Sequence, residues 1–370
     1  MAAVGVLSIS LSLFMYFALQ FLWNMINALQ LAVWLPIFQM QFPGLAALVY
    51  NMILQVVTFD LYNTRKYSID FFDLDLKLTM LNSEFMRIGI DQKIFLAGCG
   101  LFALVLLSFV PIIGLVYCLS KFSCANAFIQ RFRAKLMSIF VWSFYLRSIL
   151  ESLLELSLQS MIDLQASLLG ESWGYTLSFA ISILYLGTIL ALVAFMHFWL
   201  IRQNLNDQQL IDKYGSLWDG LLPQPKSLHF QEWFLVRRLI LATITFFAFD
   251  QLWLSIQALF YGSLVTLAML AGKPQDSDQA HRNELFNEIC LMLIQYILFI
   301  CINITIEVDK KVLMGNIVAI VSLFNILVNL IIVISVLVIS IKYALKRLCN
   351  RCRLKSKPKA IRPILSRNKK

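Results

Sequence analysis

Apolar residues run through this chain in long blocks, and the short polar stretches between them hold most of its charge. A block of about 20 residues is what a helix needs to cross a hydrocarbon core. Blocks of that kind occupy 94–119, 136–161, 175–201, 233–249, 252–271, 286–304 and 313–341. Inside a bilayer every backbone polar group must be satisfied within the protein, which leaves helices and closed barrels. The short alternating segments of a barrel are absent. The pattern predicts an all-α fold, a polytopic transmembrane helical bundle with eight or nine membrane segments. The blocks 233–249 and 252–271 are separated only by Asp250 and Gln251, which reads as a tight helical hairpin.

Residues 3–38 are apolar almost throughout. As one helix they would measure about 54 Å at ~1.5 Å per residue, too long for a single upright crossing. Two readings fit: one tilted span with an interfacial extension, or two close-packed segments that break between Gln20 and Asn27. The stretch lacks the basic start of a signal peptide and is read as mature membrane structure. Residues 39–93 are the longest polar stretch, with Asp60, Asp70, Asp73, Asp75, Glu84 and Asp91. Pro43 disfavours helical geometry at Phe42, and 45–57 reads as a short interfacial helix within an exoplasmic loop. The expected domains are thus 1–38 (N-terminal membrane segments), 39–93 (exoplasmic loop), 94–341 (transmembrane bundle) and 342–370 (tail).

Composition agrees: 60% of the 370 residues are hydrophobic and 14% charged, against about a quarter charged in soluble domains. The net charge of +10 has one source. From Lys342 onward there are 12 Lys/Arg and no Asp/Glu, so the rest of the chain is slightly acidic. Such a block after the last span reads as a cytoplasmic tail held by anionic headgroups, with Lys346, Arg347, Arg351 and Arg353 nearest the membrane. A tethered tail almost without aromatics argues against nucleic acid. Lys/Arg counts orient the remainder. Loop 120–135 carries Lys121, Arg131, Arg133 and Lys135 without an acid, and is placed inside. Loop 162–174 has Asp163 and Glu171 without a base, and is placed outside. Alternation then puts loops 202–232 and 272–285 inside, 305–312 outside and the tail inside.

None of the seven cysteines falls in a segment placed outside, so no exoplasmic disulfide framework is implied. Cys349 and Cys352, just inside the last span, suit S-palmitoylation or remain plain free thiols. The most informative block is 136–163, where Arg147, Glu151, Glu155, Gln159 and Asp163 recur at i+4 steps and wind along one side of a helix. Ser148, Ser152 and Ser160 widen the row. A charge at membrane depth costs at least ~2.5 kcal/mol unless paired or wetted. The row is therefore a polar path or a set of internal ion pairs. Asn303, Asn325 and Asn329 fit interhelical hydrogen bonds, and Glu284 and Glu288 fit the favourable N-terminal end of a helix. Arg237 and Arg238 are expected to reach lipid headgroups. His197, His229 and His281 lie in different segments without metal-ligand spacing, and no catalytic motif is present. No enzyme activity, cofactor or metal is expected.

Several clusters resemble a family. Leu22 to Gln30 followed by Phe42-Pro43, Asn82-Ser83-Glu84-Phe85 with Ile88-Gly89, and Arg147 with Glu151 and Glu155 come first. Tyr214 to Leu221, Arg237-Arg238, Gln257, Lys273-Pro274 and Asn287-Glu288 continue in order. This order resembles the multi-spanning C-terminal membrane region of large ciliate cysteine-rich surface proteins. The Tyr-Gly loop before an Arg-bearing span is also similar to fungal TRP-like proteins of the flavin-carrier type. The chain departs from the pattern at Gln275, where the family tends to have an aromatic, and it shows no cysteine-rich ectodomain. Gly215 suits a positive φ, and Leu217, Trp218 and Leu221 suit the membrane surface. The resemblance implies a TRP-like channel or transporter moving cations or small solutes. The alternative is a non-conducting membrane module that anchors or assembles a surface complex. A hydrated 147–163 row would favour the first, and a dry, paired row the second. Expected partners are membrane lipids and either a second copy of the chain or a surface-complex protein, in the plasma membrane or an endomembrane.

Overall fold

Long apolar stretches without proline leave the backbone free to satisfy itself as helix, and helices form wherever such stretches occur among the described residues. The computed structural model describes residues 95–98, 145–166, 173–247, 252–303 and 307–356, with the single positions 31, 49, 52, 70, 114 and 118. The helices are α1 (Phe95–Gly98), α2 (Tyr145–Ala166), α3 (Trp173–Phe198), α4 (Gln208–Tyr214), α5 (Pro225–Phe247), α6 (Leu252–Leu270), α7 (Asp278–Asn303) and α8 (Val308–Ser356). Short 3-10 turns at Leu200–Arg202 and Gly215–Leu217 flank α4. Pro225 opens α5, where its missing N–H is no loss. No strand is present among the described residues; a single antiparallel bridge joins Leu221 to Gln275.

The chain divides into two units, Asn24–Ile326 and a second made of Met1–Trp23 with Leu327–Lys370. In the first unit α2 is the hub, packing against α1, α3 and α5; α5 packs on α6, and α6 on α7. Its apolar core includes Leu153, Leu156, Ile189, Met196, Leu228 and Leu235, all nearly inaccessible. The start of α8 meets α7 through Phe286 and Phe324, whose ring centroids are 5.9 Å apart. In the second unit the described residues continue α8 as an unbroken helix to Ser356.

The outer faces settle the solvent. On α7, Ile289, Leu293 and Tyr296 face outward, while Asn283, Asn287, Glu288 and Gln295 are buried. On α8, Ile320, Leu323, Phe324 and Leu327 are exposed, while Ser322, Asn325 and Asn329 are buried. Apolar outside and polar inside is the reverse of a water-facing helix, and it fits lipid. Four helices are long and apolar enough to cross a membrane, over Trp173–Arg202, Trp253–Leu270, Asp278–Ile300 and Asp309–Ile339. The chain is an integral membrane protein on this ground. Of the other expected segments, 3–38 apart from Leu31, most of 94–119 and the first part of 136–161, residues 136–144, lie outside the described residues; the rest of 136–161 lies in α2. The block 233–249 lies mainly within α5, which carries Glu232, Arg237 and Arg238.

Candidate functional site

The strongest chemistry is a charge cluster held by α5, α6 and α7. Arg237 on α5 and Glu288 on α7 form a bidentate pair: Nη2 donates to Oε1 at 2.8 Å and Nη1 to Oε2 at 3.1 Å. The same guanidinium donates to two hydroxyls of α6, Ser263 at 2.8 Å and Thr266 at 3.0 Å. Thr266 also accepts from the Trp233 indole at 3.0 Å and donates to the Gly262 carbonyl at 2.8 Å. Gln295 donates to Ser263 at 3.2 Å. Gly262 lets α6 approach this closely, since a Cβ there would meet Arg237 Nε at 3.1 Å. Serine, threonine and glycine thus form a seat for one arginine.

Arg238 is fully buried and lies over the Phe234 ring, 3.6 Å from its centroid, a cation–π contact. Glu284, one turn before Glu288, is within electrostatic reach of Glu288, Arg238 and Arg237. Phe230, Phe234, Arg238, Glu284, Asn287 and Glu288 line a cleft beside the pair. It leaves about 30 Å³ for the centres of water molecules, room for one or two waters. Asn287 at its edge accepts from Asn325 of α8 at 3.0 Å. At ~1.5 Å per residue, Arg237 and Glu288 lie roughly 15–18 Å from the starts of their helices.

Two expectations change here. Arg237 and Arg238 do not reach headgroups: they are 7% and 0% exposed, because carboxylate, hydroxyl and aromatic partners inside the bundle replace water. Glu288 is held as the arginine's counter-charge, deep within α7. In sequence each residue belongs to its own span, and the pairing across 51 positions has no local signal.

The row on α2 divides. Gln159 and Asp163 are 2% and 5% exposed, and Glu155 is partly buried. Ser178 and Ser182 of α3 donate to Asp163 at 3.0 and 2.7 Å, and the Leu96 amide donates to Ser178 at 3.2 Å. Asp163, expected in an outside loop, is thus enclosed within the bundle where α2 meets α3. Ser160 turns its hydroxyl to its own helix, 2.7 Å from the Leu156 carbonyl. The side chains of Arg147 and Glu151 lie outside the described residues, as do those of Arg347, Cys349, Arg351, Cys352 and Arg353; Lys346 is exposed.

One face joins two loops. Leu222 N donates to the Pro274 carbonyl at 2.8 Å and Asp276 N to the Gly220 carbonyl at 3.1 Å. Ser227 Oγ adds a third link to Pro274 at 3.1 Å. Gly220, with φ 77°, makes the turn, and Lys273 takes φ 46° before Pro274. The expected positive φ at Gly215 is not adopted: that residue starts a 3-10 turn. Leu217 and Trp218 are buried in the core instead of lying on a membrane surface, because α4 and its turn fold back beneath α2. Burial, and then the nearby charge of Asp219, raise the Asp276 carboxyl above its ordinary value.

On the same side of the bundle, His197 at the end of α3 and His229 at the start of α5 share one carboxylate. Their Nδ1 atoms lie 2.9 and 3.2 Å from the two oxygens of Glu232. His281 is apart, with Nδ1 2.9 Å from Gln275 Oε1. No known protein family, curated protein or solved structure matches the chain.

Proposed function

We propose that the protein is a membrane transport protein, a channel or transporter for cations or small solutes, with the Arg237–Glu288 cluster as its polar site. The observation that supports this is the gathering of two arginines and two glutamates inside the helical bundle beside a cleft with room for water. Charges there are costly, and a buried ion pair is often no more stable than well-packed apolar residues of the same volume. A bundle that only had to hold together has a simpler solution in Leu and Phe. Glu284 is the group free of the bidentate geometry. It is the one suited to exchange a cation or proton with the cleft, while Arg237 holds Glu288 in place. The class agrees with the TRP-like resemblance, and the expected setting is the plasma membrane or an endomembrane, with the C-terminus cytoplasmic.

The test is cation flux into proteoliposomes. Wild type should carry a cation down its gradient, and Glu284→Gln should lower that flux roughly tenfold or more while the protein still elutes as a folded species. Wild type that reconstitutes well and passes nothing under voltage, tension or changed lipid would reject the proposal. The second reading, a non-conducting assembly module, draws on a different observation: Asp163 is buried and accepts hydrogen bonds from two serines of α3. On that reading the α2 row ties α2 to α3 and faces no path.

A further inference from the structure

We infer that His197, His229 and Glu232 form a binding site for a zinc-class divalent ion that clamps the end of α3 to the start of α5. Ligand atoms of the three residues, one from each, all lie within 4.8 Å of one another. Two imidazoles and a carboxylate are a donor set that zinc takes readily, with water in the fourth position. Adjacent ligands around a tetrahedral zinc with bonds of ~2.0 Å are about 3.3 Å apart. Each imidazole faces a different oxygen of Glu232, at 2.9 and 3.2 Å, so whichever oxygen binds the ion already has one nitrogen close to that edge. The widest separation must contract by about 1.5 Å on that geometry. Both imidazoles can supply the movement by side-chain rotation, being 50% and 47% exposed, whereas Glu232 is 15% exposed and held on its helix.

The protons balance without a co-reactant. A carboxylate only accepts, so in the ion-free arrangement each Nδ1 carries the hydrogen. When the ion takes Nδ1, the neutral ring keeps its proton on Nε2, exchanged through the solvent to which both rings are open. The ion then bridges two helices whose connection spans residues 199–224. It does so five residues before Arg237, although the site itself does not depend on transport.

The experiment uses the full-length protein in nanodiscs after treatment with a chelator, in a Cys349→Ser/Cys352→Ser background that removes the C-x-x-C as a rival site. Zinc chloride alone is titrated by calorimetry, with cobalt(II) absorption as the second readout. One equivalent should bind, with a cobalt spectrum of nitrogen and oxygen donors and a higher unfolding temperature. His197→Ala and His229→Ala should each weaken zinc roughly tenfold or more, and His281→Ala should leave it unchanged. Both altered side chains are half-exposed, so gel filtration of the zinc-free variants should match wild type. Binding that survives both alanine variants, or no binding at micromolar zinc, would overturn the site and leave Glu232 as an ion-pair partner only.

Discussion

Glu288 is the residue on which the buried cluster turns. Replacing it with Gln breaks the bidentate pair and leaves only Glu284 as a carboxylate within reach of the enclosed Arg237 guanidinium, a loss of up to about 3–5 kcal/mol in a buried setting. A shift of that size should appear in urea unfolding followed in micelles. Arg237→Met with Glu288→Leu should recover most of it if the pair serves structure, since apolar packing then replaces both charges. Gly262→Ala is a finer probe. Alanine gains about 1 kcal/mol of helix propensity, but its Cβ would stand 3.1 Å from Arg237 Nε and 3.3 Å from its Cγ. Arg237 cannot give way, being held by Glu288, Ser263 and Thr266. The outcome should be a net loss of roughly 1 kcal/mol; a stabilised variant would show the seat to be loose. None of this was readable from the chain. Each partner lies in a different span, and a helix-face pattern says that a polar residue turns inward without saying what it meets.

Among the elements, the apolar runs were legible and the polar ends were not. The block expected at 252–271 matches α6 closely, because no charged residue interrupts it. The block expected from 286 begins earlier, at Asp278, since helix continues through polar turns that hydropathy cannot register. Leu217 and Trp218 went the other way: bulky apolar residues near an interface suit lipid and core equally, and burial beneath α2 decides between them. The pairing of the loops around Gly220 and Pro274 is a finding of the fold, and it carries a prediction. Gln224 and Ser277 are both exposed on that face. Single cysteines placed there, in a background without native cysteines, should be labelled by an impermeant maleimide from the same side of a sealed vesicle. Labelling from opposite sides would contradict the bridge between Leu221 and Gln275. The His197–Glu232–His229 contact depends on the same arrangement, which returns α5 beside the end of α3. That is why His197, remote in sequence, ends beside the i,i+3 pair of His229 and Glu232.

At the scale of the whole molecule, charge is spread along the chain more unevenly than any one helix shows. The basic run opens at Lys342 and holds 12 Lys/Arg with no acid, while the remainder of the chain is slightly acidic. The last apolar span ends at Ile339, and α8 continues as helix to Ser356. The helix thus continues past the last apolar span and carries Lys342, Lys346, Arg347, Arg351, Arg353 and Lys355. Each base close to an anionic surface contributes about 1 kcal/mol before screening. A Debye length of ~8 Å at physiological salt confines that attraction to residues near the headgroups. The check uses full-length protein carrying an environment-sensitive dye on Cys352 as its sole cysteine. Nanodiscs with anionic lipid should shift the dye toward an apolar signal, and neutral nanodiscs should not. High salt should reverse the shift, and neutralising Lys346, Arg347, Arg351 and Arg353 with Gln should weaken it. An equal signal on neutral lipid would mean that apolar contact holds the tail, because an electrostatic anchor cannot act on a surface without charge.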